Sequence, residues 1–289
     1  PYLFAGVFPW SRIDNALFET ISGFSTTGST VLRDIEATSS GILFWRQLTQ
    51  WYGGMGIIVL AVTVLPSLGV GGLQLMTAES PGHESDKLRA RSIDTAKSLW
   101  LVYFGVTITI ALLLWATPSV GLYDAVAHGL STAAIGGFST KNGSIGSFDS
   151  YIVELIIVFG MFIGAMNYNL QYKFWKSKGN FRVFTRSSEW NLYVRITLSF
   201  IGVIFLMNWL MDSVDVGTAF RDSLFNVVTL ASSTGFGNVR PDGIGNFVLW
   251  GTASQLLLLF QMTVGGTFGS TAGGMKIFRM QIGFKALSR

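Results

Sequence analysis

The stretch Thr26-Thr27-Gly28-Ser29-Thr30 decides the fold, because related stretches follow it twice along the chain. Written as the fourteen residues that end on the glycine, the copies read NALFETISGFSTTG (15–28), DAVAHGLSTAAIGG (124–137) and DSLFNVVTLASSTG (222–235). They align without gaps, and each starts with Asn or Asp and has a hydroxyl residue six positions before its glycine. The chain therefore contains an internal repeat.

Each copy predicts a short helix followed by a glycine-centred turn, with Asn15, Asp124 or Asp222 as the residue that caps the helix. This is the shape of a re-entrant pore loop. In a cation filter, backbone carbonyls replace the ion's water shell, and that backbone needs positive φ angles, which glycine adopts cheaply. The alternative is that small residues only let membrane helices pack closely. Three in-register copies between apolar segments favour the pore loop.

The composition is that of a membrane protein. The 289 residues are 49% hydrophobic and 12% charged, with a mean hydropathy of +0.47, whereas soluble domains are about 25% charged. Without cysteine there are no disulfides or thiolate metal sites, and two histidines leave little for a histidine-rich metal centre. We expect no cofactor. The basic residues that give a net charge of +4 lie in short loops between apolar spans, so they indicate membrane topology rather than nucleic acid.

The distribution of charge predicts the orientation. The polar segments 76–97, 171–191 and 275–289 hold 13 of the 20 Lys and Arg residues and five of the 16 acidic residues, so we expect them to be cytoplasmic. The three turns then face outward, where acidic side chains would raise the local cation concentration. These are Asp14, Glu19, Asp124, Asp212, Asp215, Asp222 and Asp242.

The repeat divides the chain into pore units joined by basic linkers, with membrane spans predicted at 41–65, 98–116, 151–170 and 192–211 and a last span that begins with 247–264. The first unit is 1–75 and lacks an opening helix. A basic linker, 76–97, precedes the second unit, 98–170, and another, 171–191, precedes the third, 192–289.

A glycine-rich stretch at 265–274 interrupts the last predicted span. Five glycines in ten residues are costly in a helix, so we expect the helix to break there. Non-helical backbone at membrane depth is tolerated where it is buried in protein or lines a cavity. A gate loop beneath the turns is therefore predicted, and the alternative is a helix-packing patch. Its candidate residues are Gly265, Gly266, Gly269, Ser270, Thr271, Gly273 and Gly274.

Ionisable residues occur inside the apolar segments as well. Glu19 and His128 occupy equivalent repeat positions, with Asn226 as the third, and this varied chemistry favours a packing and hydrogen-bonding role. Arg46, Glu154 and Arg195 lie near predicted span ends, where snorkelling to the interface accounts for them.

Several motifs resemble the Trk/Ktr/HKT superfamily of potassium transporters, most closely its bacterial TrkH branch, over essentially the whole chain. The motifs are FSTTGST (24–30), DTAKSLW (94–100), AAIGGFST (133–140), SSTGFGN (232–238) and GSTAGGMK (269–276). The resemblance implies an all-α integral membrane protein with four units of helix, pore helix, filter loop and helix around a central ion pathway. Three of these units are recognisable here, and we expect the fourth pore loop to be absent from these residues.

The resemblance also implies which residues bind potassium, the only metal expected. The ion would meet the backbone carbonyls of Thr26, Thr27, Ile135, Gly136, Ser233 and Thr234, and the turns would be shaped by Gly28, Gly137, Gly235, Ser29, Phe138 and Phe236. Filter one lacks a second glycine after Ser29, and filter two has Ser139 where the third has Gly237. We therefore expect a filter that prefers potassium and rubidium but admits some sodium. In the gate loop, Thr267-Phe268 replaces the Cys-Ser of the family pattern.

The expected function is potassium-selective translocation by the pore subunit of an uptake system, without enzymatic activity. The resemblance further implies a homodimer, a cytosolic nucleotide-binding regulatory subunit of the TrkA type, and the lipid bilayer of the bacterial inner (plasma) membrane. A cation-coupled secondary transporter with alternating access stays open as the alternative. An intramembrane enzyme would need paired catalytic groups at membrane depth, and a purely structural subunit would not need three filter copies.

Overall fold

A computed structural model describes residues 1–3, 5–63, 84–210 and 214–287, with side chains throughout except at 57–63, 84–95, 284, 285 and 287. This part of the chain is all helical. Its α-helices are α1 (Ile13–Phe24), α2 (Ser40–Thr63), α3 (Glu84–Trp115), α4 (Leu122–Ala134), α5 (Tyr151–Gly164), α6 (Tyr168–Lys176), α7 (Arg182–Thr185), α8 (Ser188–Leu210), α9 (Val216–Ala231), α10 (Thr252–Val264) and α11 (Ile277–Leu287).

Three short helices, α1, α4 and α9, end just before the repeated turns, as the repeat predicts. The prediction of their capping residues was wrong, because Asn15, Asp124 and Asp222 lie inside these helices rather than at their starts. In α9 the cap is Asp215, whose carboxylate accepts hydrogen bonds from the backbone N–H groups of Gly217 and Thr218. The side chains of Asn15, Asp124 and Asp222 thus remain available for other partners.

Within the described residues, two helices are long and apolar enough to cross a membrane, Ala96–Trp115 at the end of α3 and α8. Helix α2 is also long, with 24 residues, but it carries the fully buried polar side chains Arg46, Gln47 and Gln50. Residues 76–83 of the predicted first linker lie outside the described residues, and from Glu84 onward the chain is helical into the span.

The span predicted at 151–170 is not straight. Helix α5 ends at Gly164, and α6 leaves it at an angle of 96°. The side chain of Asn167 caps α6 by accepting hydrogen bonds from the N–H groups of Asn169 and Leu170, which starts a new helix in a new direction. This break places the end of α5 beside the glycine-rich stretch.

The apolar core lies among α3, α4, α5 and α9, with Tyr103, Ile110, Ile157, Phe225 and Val228 all fully or almost fully buried. Membrane helices gain little from excluding one another from lipid, so close packing and internal hydrogen bonds hold them together. Small residues allow that closeness: Gly129 packs on Ala111 of α3, and Gly160 packs on Ile110. The core therefore fixes the pore helices against the spans.

Candidate ion pathway

The three turns have the same backbone conformation. Gly28, Gly137 and Gly235 have φ angles of 77°, 78° and 82°, which confirms the positive φ predicted for them. Two positions earlier, Thr26, Ile135 and Ser233 also have positive φ, at 55°, 55° and 61°. A β-branched residue such as Thr26 or Ile135 is rare in this region and costs energy there. That the cost recurs at equivalent positions indicates a backbone shape that the fold requires.

The helix ends explain how this conformation is held. In each unit the residue after the strained one donates its backbone N–H to a carbonyl five residues earlier: Thr27 to Ser22, Gly136 to Ser131 and Thr234 to Thr229, at 3.0, 2.9 and 2.8 Å. This is the long hydrogen bond of a Schellman helix end, which needs one left-handed residue. The turn after each pore helix is thus a helix C-cap extended by a glycine.

The three turns lie side by side in chain order. A Cβ atom added to Gly28 would stand 2.1 Å from the carbonyl oxygen of Gly136, and one added to Gly137 would stand 2.0 Å from that of Thr234. Both contacts are too short for any side chain. Around Gly235 no described atom lies within 4 Å of such a Cβ. The second unit is thus enclosed by the first and third, and the third has a free side.

The repeated hydroxyl residue holds the far side of each turn. Ser22 Oγ donates to the carbonyl oxygen of Ser29 at 2.6 Å, and Thr229 Oγ1 donates to the equivalent carbonyl of Phe236 at 3.1 Å. In the second unit the hydroxyl bonds to a glutamine side chain instead of a backbone carbonyl: Ser131 Oγ donates to Gln50 Oε1 at 2.7 Å.

Gln50 of α2 fastens the second turn from behind. Its Oε1 also accepts from the N–H of Phe138 at 3.2 Å, and its Nε2 donates to the carbonyl oxygen of Gly136 at 2.6 Å. A Cβ atom at Gly136 would overlap the amide, at 2.2 Å from its carbon. Gly136 is therefore required by Gln50 as well as by the turn.

Glu19 and Arg46 form an ion pair in which both side chains are fully buried, with Arg46 Nε 3.3 Å from Glu19 Oε2. Glu19 Oε1 also accepts from the N–H groups of Val31 and Leu32 beyond the first turn. The guanidinium lies 4.0 Å from the centre of the Phe138 ring and donates to the carbonyl oxygen of Ser139. Snorkelling does not account for Arg46, because it joins the first and second units in the interior.

A second buried pair supports the third turn. Arg240 donates hydrogen bonds from both terminal nitrogens to Asp222, at 2.7 and 3.1 Å, and Asn238 donates one to the same carboxylate at 3.0 Å. Glu154, also predicted to snorkel, is buried and accepts two hydrogen bonds from Arg221, each of 2.8 Å. The prediction that Glu19 and Asp222 attract cations from solution was wrong, since their charges are buried and balanced by arginine.

The neutral residues equivalent to Glu19 act as the packing hypothesis predicts. His128 Nε2 and Ser139 Oγ are hydrogen-bonded at 2.8 Å, while Asn226 donates to Asn238 Oδ1 at 3.0 Å. Each bond ties a pore helix to the segment beyond its own turn. Among the side chains that the structure describes, no cluster of His, Asp and Glu suits a metal ion.

The glycine-rich stretch is non-helical, as expected: α10 ends at Val264 and α11 begins at Ile277. Its hydroxyl residues are buried, with Thr267, Ser270 and Thr271 each 2–3% exposed, while Phe268 is 47% exposed. Thr267 donates its N–H and its hydroxyl to the carbonyl oxygen of Ala165, at the break between α5 and α6. The stretch therefore packs against the bend between α5 and α6 in the second unit.

Two contacts connect the stretch to the turns. Gly273 donates its N–H to Ser233 Oγ at 2.5 Å, and Thr271 Oγ1 donates to the carbonyl oxygen of Ala133, in the last turn of α4 and two residues before Ile135. Gly265 lies against the carbonyl of Gly273, where a Cβ would come within 2.2 Å of the oxygen. The glycines thus let the stretch fold back on itself directly behind the third turn.

Sequence reasoning missed Gln50, Arg221 and Arg240, whose partners lie 86, 67 and 18 residues away. The spacing of residues within one helix cannot reveal such contacts. A signal did exist for the α5–α6 break, because Asn167 is a favourable cap directly before the polar, lysine-containing α6.

The fold defines an all-α integral membrane protein with three repeated units of short helix and glycine-centred turn. Residues 9–289 match the TrkH family, described as cation transport proteins. The chain belongs to this family.

Relatives and a solved structure agree with that assignment. The chain is 40% identical to the Trk system potassium uptake protein TrkH of Salmonella typhimurium and 38% identical to that of Escherichia coli, in each case over 100% of this chain and 58% of the relative. The crystal structure of the potassium transporter TrkH from Vibrio parahaemolyticus superposes with a TM-score of 0.83 at 36% identity, over 96% of this chain and 56% of that one. The chain thus spans little more than half the length of these transport proteins.

Proposed function

We propose that these residues form three quarters of a potassium-selective pathway, in which dehydrated ions pass along the backbone carbonyls of the three turns. The observation that carries the proposal is the shared backbone of three turns lying side by side. The carbonyls of Thr26, Thr27, Ile135, Gly136, Ser233 and Thr234 are the proposed ligands, and potassium is the cargo.

The free edges of the array support a fourth unit. Each glycine faces the carbonyl of the next unit, from Gly28 to Gly136 and from Gly137 to Thr234. The pattern leaves Gly235 without a described neighbour at one edge and leaves Thr27 exposed at the other, whereas its equivalents Gly136 and Thr234 are buried. A further turn of the same shape, supplied by the complete protein, would fit between these edges and close the ring.

Gln50 is compatible with an ion-binding carbonyl at Gly136. A carbonyl oxygen has two lone pairs, so the bond from Gln50 Nε2 occupies one of them and leaves the other for an ion. The same bond fixes the direction of the carbonyl. We propose that this fixed geometry supports selectivity in the second unit, while the absence of a second glycine in filter one leaves room for some sodium.

The stretch 265–274 is proposed as the gate. It is non-helical, buried and attached to the third turn through Gly273 and Ser233, so its displacement would open space behind the filter. The remaining implications of the family are proposals too: a homodimer, a TrkA-type nucleotide-binding regulator on the basic segments, and the bacterial inner membrane. Channel-like flux is favoured over alternating access because side-chain contacts fix the units to one another: Arg221 pairs with Glu154 between the third and second units, and Arg46 donates to the Ser139 carbonyl between the first and second.

Rubidium flux into liposomes that contain the complete protein tests the function. We expect flux that potassium inhibits strongly and sodium weakly, and we expect Gly137→Ala to reduce this difference because its side chain would collide with the Thr234 carbonyl. Gly202→Ala is the matched control, since Gly202 lies in α8 with open space around it. Absence of cation flux, or unchanged rate and preference in Gly137→Ala, would refute the filter. Flux that requires a second ion's gradient would instead favour the coupled transporter.

A further inference from the structure

An apolar cavity of about 490 Å³ lies away from the turns, among α3, α5, α6, α7 and α8. Half of its lining residues are aromatic: Phe159, Phe162, Phe174, Trp175, Phe181, Phe184 and Trp190. Its size is within the range of small-molecule sites, which are about 300–1,000 Å³. The cavity exists because α6 departs from α5 at 96° and leaves the end of α5 uncovered on this side.

The polar groups of the cavity do not call for a polar ligand. The amide nitrogen of Gln171 is already bonded to the carbonyl oxygens of Ile163 and Met166. The hydroxyl of Thr109 donates to the carbonyl of Gly105 in its own helix. The occupant of the interior should therefore be apolar.

The mouth of the cavity has a different character. Trp175 and Phe181 line it and are 50% and 72% exposed, so the cavity opens on the protein surface. Five exposed basic residues accompany these aromatics in the sequence: Lys173, Lys176, Lys178, Arg182 and Arg186. None of the five forms an ion pair with another residue that the structure describes. Exposed aromatics beside uncompensated positive charge are typical of a segment at the membrane surface.

We propose that this cavity binds an acyl chain of an anionic phospholipid, with the lipid phosphate held by Lys173 and Arg182 at the mouth. Lys173 directly precedes Phe174, and Arg182 directly follows Phe181, so charge and aromatic lining are contiguous at both positions. Basic pockets between membrane helices are recognised sites for anionic lipid headgroups. The lipid would fill the space under the bend that also seats the 265–274 stretch.

Fluorescence quenching of the complete protein tests this site. The protein is placed in phosphatidylcholine nanodiscs that contain a small fraction of lipid with brominated acyl chains, carrying either a phosphatidylglycerol or a phosphatidylcholine headgroup. Bromine quenches tryptophan on contact, and Trp175 and Trp190 line the cavity. We expect stronger quenching by the phosphatidylglycerol form, and we expect Trp175→Phe to remove most of the difference.

Two pairs of variants test the lipid headgroup and the acyl chain separately. Lys173→Gln/Arg182→Gln should reduce the preference for phosphatidylglycerol about 25-fold, since each basic residue near an anionic headgroup contributes about fivefold. Arg12→Gln/Arg33→Gln removes the same charge from exposed residues outside this segment and should leave the preference intact. Thr109→Phe adds an aromatic ring to the cavity wall and should reduce the quenching difference, whereas Ile108→Phe, an exposed neighbour that does not line the cavity, should not.

Competition distinguishes a lipid from a free anion. Inorganic phosphate at concentrations that match the brominated lipid should not displace it, because phosphate lacks the chain that fills the cavity. Displacement by phosphate would overturn the lipid assignment. Equal quenching by both headgroups, or no effect of Thr109→Phe, would also overturn it, as would absence of quenching at Trp175, which would mean that another protein segment occupies the cavity.

Discussion

The three units have nearly the same backbone at the turns, but they differ in the side chains that support the turns from behind. At the turns, φ angles at equivalent positions agree within 6°. Behind them the chemistry changes: one equivalent position holds Glu19 paired with Arg46, His128 bonded to Ser139, and Asn226 bonded to Asn238. The backbone shape is thus uniform, while each unit meets the need for a support with its own side chains.

This difference separates two kinds of constraint. A support only has to connect the pore helix with the segment beyond the turn, and a carboxylate, an imidazole or an amide can do that. A turn that presents carbonyls to a neighbouring turn leaves no such freedom, because the Gly28 and Gly137 contacts are backbone to backbone. Substitutions in the supports should therefore affect stability, and substitutions in the turns should affect selectivity.

The largest effect is expected at the charged support. Arg46→Met would leave Glu19 fully buried without its cation, and removing one partner of a buried pair costs about 3–5 kcal/mol. The bonds from Val31 and Leu32 would still reach the carboxylate but would not neutralise it. The free energy of unfolding in detergent measures this loss.

The double variant Glu19→Gln/Arg46→Met is the control for that experiment. It removes both charges and leaves an amide at this position, as Asn226 does at the equivalent position of the third unit, so it should be markedly more stable than Arg46→Met alone. If the double variant is no more stable than the single one, the packing of Arg46 on Phe138 and not the charge pair holds this region.

An intermediate effect is expected from Gly235→Ala. The φ of 82° alone makes alanine cost about 1–2 kcal/mol, as at Gly137. In the complete protein a fourth unit would add a collision, so Gly235→Ala should impair potassium preference in rubidium flux as severely as Gly137→Ala. A clearly milder Gly235→Ala would show that no fourth turn lies against this edge.

The sequence was sufficient to predict the elements that depend on local residues. The pore helices, the positive φ of their glycines and the helix break at 265–274 follow from short-range patterns. It was not sufficient for partners brought together by folding. Arg46 was interpreted as an interfacial residue because it lies near the end of a predicted span. The structure buries it instead, and the cost of burying its charge is offset by Glu19, 27 residues earlier.

The strained residues show the same limit within a single turn. Glycine signalled positive φ at Gly137, but nothing marked Ile135, whose side chain disfavours that conformation. The conformation follows from the Schellman bond between Gly136 and Ser131 and from the burial of the side chain, which is 1% exposed and packs on Gly164. Tertiary packing therefore overrides local preference at the residue proposed to bind the ion.

The smallest effect is expected at Ser233, which shares its position with Thr26 and Ile135 but alone of the three hydrogen-bonds to the stretch 265–274, the proposed gate. Ser233→Ala removes the acceptor of the Gly273 N–H, a loss of about 1 kcal/mol, and leaves the carbonyl and turn in place. If that bond holds the loop closed, the open fraction should rise about fivefold with unchanged potassium preference. Single-channel recording of the complete protein measures both quantities, and Thr26→Ser, which keeps a hydroxyl at the equivalent position, is the control. An unchanged open fraction in Ser233→Ala would mean that the loop is held elsewhere, with the Thr267 bonds to Ala165 as the next contact to remove.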